Sequence, residues 1–202
     1  MSIHKTHFRG FLFLFPVLFC VVFFACDRLE IQDDLNDLEI ELVDHRGNDV
    51  IFPEAFKGKA LLVGYVYTNC PDVCPLVTYN MRDVERELDR EDIYFLSISF
   101  DPARDTPEIL AEYAENYSLD EKKWSLLTGN SRSVNQLLDR LGIATLKSPT
   151  RFTDSGREIY FIDHTDRITL VDKEGNVRRH YRGSELRSEE VVGDLRTLLD
   201  SF

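Results

Sequence analysis

Cysteine is scarce and unevenly placed. Four occur in 202 residues. Cys20 and Cys26 belong to an N-terminal apolar run, which leaves Cys70 and Cys74 for the rest of the chain. Two cysteines so close together cannot build the multi-bridge framework of a disulfide scaffold. Such a pair is redox-active, metal-binding or a simple clip. Basic charge is also short: 24 Lys and Arg against 36 Asp and Glu give a net charge of −12. That balance repels nucleic acid and offers no polybasic patch to anionic lipid. Low-complexity stretches and internal repeats are lacking. No apolar run reaches the ~20 residues that span a bilayer comfortably. What is present is a globular composition, 43% hydrophobic and 30% charged, at a length that suits one domain plus a targeting segment.

The N-terminus carries the targeting signal. His4, Lys5, His7 and Arg9 form a polar, positive stretch, and Phe11 to Ala25 follows without a charge. These are the flanks and length of a signal peptide core. Ala25-Cys26, followed by Asp27, Arg28 and Glu30, resembles the lipobox of bacterial lipoproteins, although Phe23 and Phe24 are bulkier than usual there. In that reading the chain is cut before Cys26 and its sulfur carries lipid. An uncleaved signal anchor is the alternative. Either way the remainder lies outside the cytoplasm, on the periplasmic side of the cell envelope, tied to a membrane. The expected organisation is residues 1–25 as signal peptide, 26–37 as a polar tether and 38–202 as one folded domain.

Within that domain the patterns alternate. Leu38, Ile40 and Leu42 recur with period 2, as in a half-buried strand, and Val50 to Phe52 is the returning strand. Ala60 to Tyr67 is almost wholly apolar and reads as a central strand buried on both faces. Val77, Met81, Val84 and Leu88 have helical spacing. Ile93 to Ser99 is a second buried strand. Thr106-Pro107-Glu108 gives a cap, a proline and an acid at the start of a helix running to about Asn116. A strand at Trp124–Leu127 precedes a helix capped by Ser131 or Ser133. Residues 144–158 read as a loop. Strands at 159–162, 168–171 and 177–181 and a C-terminal helix around Val191–Leu199 complete the chain. Strands alternating with helices predict an α/β three-layer sandwich, with the C-terminal half of a thioredoxin-like sheet.

Three constellations carry chemistry. The first is Cys70-Pro-Asp-Val-Cys74-Pro75, at the junction of a buried strand and a helix. Strand ends of this kind face the ligand-binding edge of open α/β sheets, and the helix N-terminus favours a thiolate. Four residues apart on a helix, the two sulfurs could close into a disulfide or grip one metal ion. A purely structural bridge is the bland alternative. The second is His164, between two apolar strands. A lone histidine there is more often a hydrogen-bonded turn residue than a ligand. Asp163 or Asp166 could orient its ring. The third is Asp101-Pro-Ala-Arg104-Asp105-Thr-Pro107, where Arg104 and Asp105 could pair and Asp101 would face the same edge as Cys70. His45 and His180 read as structural or surface residues. Two thiolates and one imidazole are a soft donor set that selects cuprous copper; structural zinc wants a closed four-ligand shell, and no fourth ligand is evident.

Gly64-Tyr-Val-Tyr-Thr68 through Pro75, Ser99-Phe-Asp101 through Pro107, and Asp163-His164-Thr165 together resemble the Sco/SenC family in order and spacing, from about Leu38 to Leu199. The resemblance implies a thioredoxin-like (peroxiredoxin-like) fold and one copper site, ligated by Cys70, Cys74 and His164; Asp101 and Asp163, by their positions, are expected around it. The copper is expected as Cu(I), with Cu(II) also admitted. It further implies a role in delivering copper to, or reducing the cysteines of, the dinuclear copper centre of cytochrome c oxidase subunit II; a monomeric metallochaperone supplied by a copper donor protein is the expected form. The competing reading is a thiol–disulfide oxidoreductase that uses Cys70 and Cys74 on its partner's copper-site cysteines. The Cys-x3-Cys spacing, and a histidine where thioredoxin-like reductases carry a cis-proline, count against a general reductase. A peroxiredoxin-like peroxidase is supported by fold alone.

Overall fold

The computed structural model describes residues 29–88 and 90–200; the apolar N-terminal run and Cys26 lie outside them. Among the described residues no helix is long and apolar enough to cross a membrane.

The chain forms β1 (Asp33–Asp34), β2 (Ile40–Asp44), β3 (Asp49–Phe52), β4 (Ala60–Val66), α1 (Val73–Glu87), β5 (Ile93–Ser99), α2 (Pro107–Asn116), β6 (Trp124–Thr128) and α3 (Ser131–Arg140). It continues with β7 (Thr145–Lys147), β8 (Arg151–Phe152), β9 (Glu158–Ile159), β10 (Ile162–His164), β11 (Ile168–Val171), β12 (Asn176–Tyr181) and α4 (Ser188–Leu199). Eight strands make the main sheet, in the order β1-β12-β11-β4-β5-β6-β2-β3. β4, β5 and β6 run parallel, whereas β11 lies antiparallel to β4. This is a mixed α/β domain with the thioredoxin-like fold.

Burial follows composition. Every residue of β4 is buried, because the strand sits mid-sheet with helices over it. β2 alternates instead, with Ile40, Leu42 and Asp44 inward. α1 buries Val77, Met81 and Val84, and it comes so close to β4 that a Cβ on Gly64 would stand 2.5 Å from the Met81 sulfur. α4 packs beside α1 and buries Val191, Val192, Leu195, Leu198 and Leu199. Thr106 caps α2 by accepting the Ile109 N–H, with Pro107 at the first helical position.

Three local expectations fail. Neither serine caps α3: the Asn130 side chain accepts the Ser133 N–H at 2.9 Å. Residues 144–158 are not simply a loop. β7 pairs with β10, and β8 with β9, so the strand expected at 159–162 is split between two small ladders. The segment read as a tether is also partly docked. Asp33 and Asp34 pair with Val177 and Asn176 on β12, and Leu35 is fully buried.

Sheet topology sets up the functional edge. The parallel strands β4 and β5 end together, so the segments after Val66 and Ser99 emerge side by side. β11 runs the opposite way and begins at Ile168, opposite Gly64 near the end of β4. The residues just before β11, His164 among them, are thereby delivered to the same edge.

Candidate metal centre

Cys70 lies in the turn ahead of α1 and Cys74 in its first turn. They are not both on the helix, as the spacing had suggested. Cys70 is half-buried, Cys74 fully buried, and both thiols are free. The Cys70 sulfur accepts the backbone N–H of Cys74 at 3.4 Å. Asp72, at the position that normally caps a helix, makes no side-chain cap, and the thiolate sulfur takes that role.

His164 closes the site from the other side. Its Nε2 stands 3.7 Å from Cys74 Sγ. Its Nδ1 lies 3.0 Å from the Thr165 carbonyl oxygen. A carbonyl can only accept, so Nδ1 carries a proton, and Nε2 is the ring nitrogen that faces the sulfurs. The Phe100 ring supports the imidazole, with centroids 4.5 Å apart. The two sulfurs and the imidazole nitrogen all lie within 4.8 Å of one another, and the three residues could hold a metal ion. Bond lengths of roughly 2.0–2.3 Å to nitrogen and sulfur put donors around a three-coordinate ion nearly 4 Å apart, so loading needs only a small closure. A cleft of about 340 Å³ opens onto the site between Tyr67, Cys70, Pro71 and Asp72 on one side and Phe161 to His164 on the other.

The electrostatics separate the two thiols. The Cys74 thiol donates to Cys70, and this, aided by His164 and the amides of Cys74 and Asp72, holds Cys70 down to about 4 against the opposing effect of burial. The same bond, with burial and the neighbouring negative charge, pushes Cys74 far up. The pair therefore keeps one proton, on the buried sulfur, with the accessible sulfur ionised.

The acids expected around the ligands do something else. Asp163 is exposed, and the imidazole is oriented by the Thr165 carbonyl instead, because β10 ends at His164 and turns that carbonyl inward. Asp166 accepts from the Ser184 N–H and hydroxyl. Asp101 is buried but bonds to Arg104 and to the Tyr160 hydroxyl rather than facing Cys70. Nor does Arg104 pair with Asp105. Asp105 is fully buried and accepts from the Thr68 N–H at 3.2 Å, the Thr68 hydroxyl at 2.6 Å and the Ser99 hydroxyl at 2.5 Å. Burial pushes its carboxyl up against those donors. It ties the ends of β4 and β5 together two residues before Cys70, a role its place after a buried strand only hinted at. His45 is a buried structural residue whose Nδ1 accepts the Leu126 N–H; His180 is exposed.

The SCO1/SenC family model matches residues 31–200. The chain belongs to the SCO1/SenC family. It is 29% identical over 202 residues to the SCO1 protein homologue of Bacillus subtilis, covering 98% of this chain and 97% of that one. Among solved structures it resembles Bradyrhizobium japonicum ScoI with copper bound, at 27% identity and a TM-score of 0.64, over 79% of this chain and 97% of that one. It also resembles a SCO1/SenC family lipoprotein from Bacillus anthracis, at 26% identity and a TM-score of 0.67, over 84% and 99% of the two chains. The two cysteines and the histidine are the Cys-Cys-His set by which this SCO1/SenC chain could hold a metal.

Proposed function

We propose that the protein is a copper metallochaperone that binds one copper ion through Cys70 Sγ, Cys74 Sγ and His164 Nε2. The carrying observation is the convergence of these three donors within 4.8 Å in a cleft open to solvent. Two sulfurs and one imidazole suit cuprous copper, and a half-exposed three-donor site leaves the ion transferable. The copper-bound state of the Bradyrhizobium relative supports the choice of metal. The recipient is the dinuclear copper centre of cytochrome c oxidase subunit II, with copper supplied by a separate donor protein. The lipoprotein relative supports a lipid on Cys26, which would hold the domain at the periplasmic face of a membrane. Cys26→Ser should then release the chain from the membrane fraction; retention would favour an uncleaved anchor.

The deciding experiment is an anaerobic Cu(I) titration of reduced residues 27–202 against a chromophoric chelator. One copper per chain, lost in both Cys70→Ser and Cys74→Ser, is expected. No copper retained against a weak competitor would sink the reading.

The ionised, accessible Cys70 beside a protonated, buried Cys74 favours a second activity at the same site. The Cys70 thiolate would attack a partner disulfide, forming a mixed disulfide and releasing one partner thiolate. Cys74 would then attack the Cys70 sulfur and give its proton to the departing thiolate. The partner disulfide is reduced to two cysteines as Cys70–Cys74 is oxidised. His164→Ala separates the roles, weakening copper binding while thiol exchange, whose two reacting sulfurs are Cys70 and Cys74, persists.

A further inference from the structure

The loop from Asp101 to Asp105 supplies no donor atom, yet it grips the strand that carries His164. Arg104 is its centre. The Arg104 Nε donates to Asp101, and Nη1 donates to the Tyr160 carbonyl at 3.3 Å. The guanidinium stands 3.6 Å from the Tyr160 ring centroid and 5.6 Å from that of Tyr67. The Tyr160 hydroxyl donates to Asp101 at 2.8 Å. Two residues on, the Ile162 N–H donates to the Tyr67 hydroxyl at 3.3 Å.

These contacts matter because β10 has no partner strand in the main sheet. Among the described residues it pairs only with β7, in a two-stranded arm separate from the main sheet. Every residue of β7 is exposed, and Leu146 is 70% exposed, so Ile162 of β10 is the one buried residue of the two strands. Packing alone is also a poor account of an arginine here. Among the described residues its Nη2 is buried without a partner, a state that costs stability.

We propose that Arg104, with Asp101 and Tyr160, is a positioning lock that holds the arm against the cysteine-bearing edge and so sets the distance from His164 Nε2 to the two sulfurs. The lock is a property of the metal-free chain. Only its effect on copper affinity rests on the metallochaperone reading.

The test uses Arg104→Ala, Arg104→Lys, Tyr160→Phe, His164→Ala and the double variant Arg104→Ala/His164→Ala, each checked for folding by circular dichroism. The first readout is metal-free. The Phe100 ring beside His164 shifts the His164 Hε1 resonance, and Arg104→Ala or Tyr160→Phe should move it toward the unstructured position while the Trp124 indole resonance stays. An unmoved His164 resonance in a folded Arg104→Ala protein overturns the lock. The second readout is Cu(I) affinity. Arg104→Ala should weaken binding by roughly ten-fold or more, as loss of groups that orient metal ligands does. Arg104→Lys, which keeps the charge but not the planar fork, should fall between. In the His164→Ala background the Arg104 change should add nothing. An equal loss in both backgrounds overturns the proposal, because the arginine would then act independently of the histidine. If the parent protein binds no copper, the functional reading fails and the His164 resonance alone decides the lock. If Arg104→Ala does not fold, Tyr160→Phe, which removes one hydroxyl, carries both readouts.

Discussion

The sulfur of Cys70 caps the helix that begins with Cys74's own turn, accepting the Cys74 N–H at 3.4 Å. A thiolate accepts such a bond better than a thiol does, and the N-terminal end of α1 favours negative charge. The hydrogen bond from the Cys74 thiol does most to fix which of the two chemically identical residues is ionised, and this backbone N–H adds to it. The deeper sulfur keeps the proton, and the accessible sulfur loses it.

The first prediction concerns pH. Because Cys70 is held down to about 4, its alkylation by iodoacetamide in the reduced, metal-free protein should proceed at a nearly constant rate from pH 8 to about pH 5 and fall as pH approaches 4. Cys74 should stay unmodified while the protein is folded. Cys74→Ala removes the bond that contributes most to the lowering, so the Cys70 profile should move upward. For stability, the folded form of Cys70 gives up its proton far below the ordinary thiol value of 9.0. Between those limits the unfolded chain holds one proton more, so stability rises with pH. The contribution of Cys70 is complete above pH 9 and is lost as pH falls through about 4. Cys74 works in the opposite sense above pH 9. A rate profile that follows an ordinary thiol would remove the assignment of the charge to Cys70.

Asp105 is the second case. Its carboxylate gathers three donors from the ends of β4 and β5 in a fully buried position. Asp105→Ala would leave the Thr68 N–H and two hydroxyls without their acceptor, at a cost of about 2–3 kcal/mol. Asp105→Asn keeps one acceptor and should cost less. Urea denaturation of the metal-free protein measures both, and an Asp105→Ala protein as stable as the parent would contradict this account. The loop holding Cys70 begins at Thr68, so the alanine variant should also bind copper more weakly.

How much of this could be read from the sequence depends on how each element earns its place. β4, β5 and α2 were legible because their own residues decide them: continuous apolar runs in the first two, and Thr106-Pro107-Glu108 in the third. The pairing of Cys70 with Cys74 was legible for the same local reason. The β7–β10 arm was not, since Thr145, Leu146 and Lys147 are all exposed and show no period-2 burial; the arm is held by the Arg104 and Tyr67 contacts from distant segments. The orientation of His164 was missed because a neighbouring backbone carbonyl, which carries no sequence signature, replaced the expected aspartate. Its meeting with Cys74, 90 residues away, entered only through family resemblance. Antiparallel β11 is the physical reason for that meeting, and strand order in a sheet is not written in local periodicity.

Gly183 gives a third prediction. It packs under α1, where an added Cβ would stand 2.8 Å from Val77 and 2.9 Å from the Asp166 carboxylate. Val77 is fully buried and cannot simply turn away. Asp166, which also accepts from the Ser184 N–H and hydroxyl, lies two residues beyond His164. Gly183→Ala should therefore lower stability by about 1–3 kcal/mol through overpacking, read from the denaturation midpoint. It should also disturb the metal site, read as weaker Cu(I) binding. Unchanged stability would mean that the α1 contact has more slack than its spacing implies.

The fourth prediction tests where the domain begins. Residues 33–35 had the composition of a tether, two acids beside a single leucine. In the structure Arg140 pairs with Asp33 and donates to the Asp34 carbonyl, and the Asn36 side chain donates to the Glu174 carbonyl at 2.6 Å. These polar ties hold Leu35 in the core at 0% exposure. Burying a leucine so completely is worth about 2–4 kcal/mol against alanine, so Leu35→Ala should lower the unfolding free energy by that amount. Deleting residues 29–37 should cost more, because it also strips β1 from β12. A free tether would tolerate both changes without effect. If denaturation showed no difference, the segment would be a spacer after all, and the folded unit would start at β2.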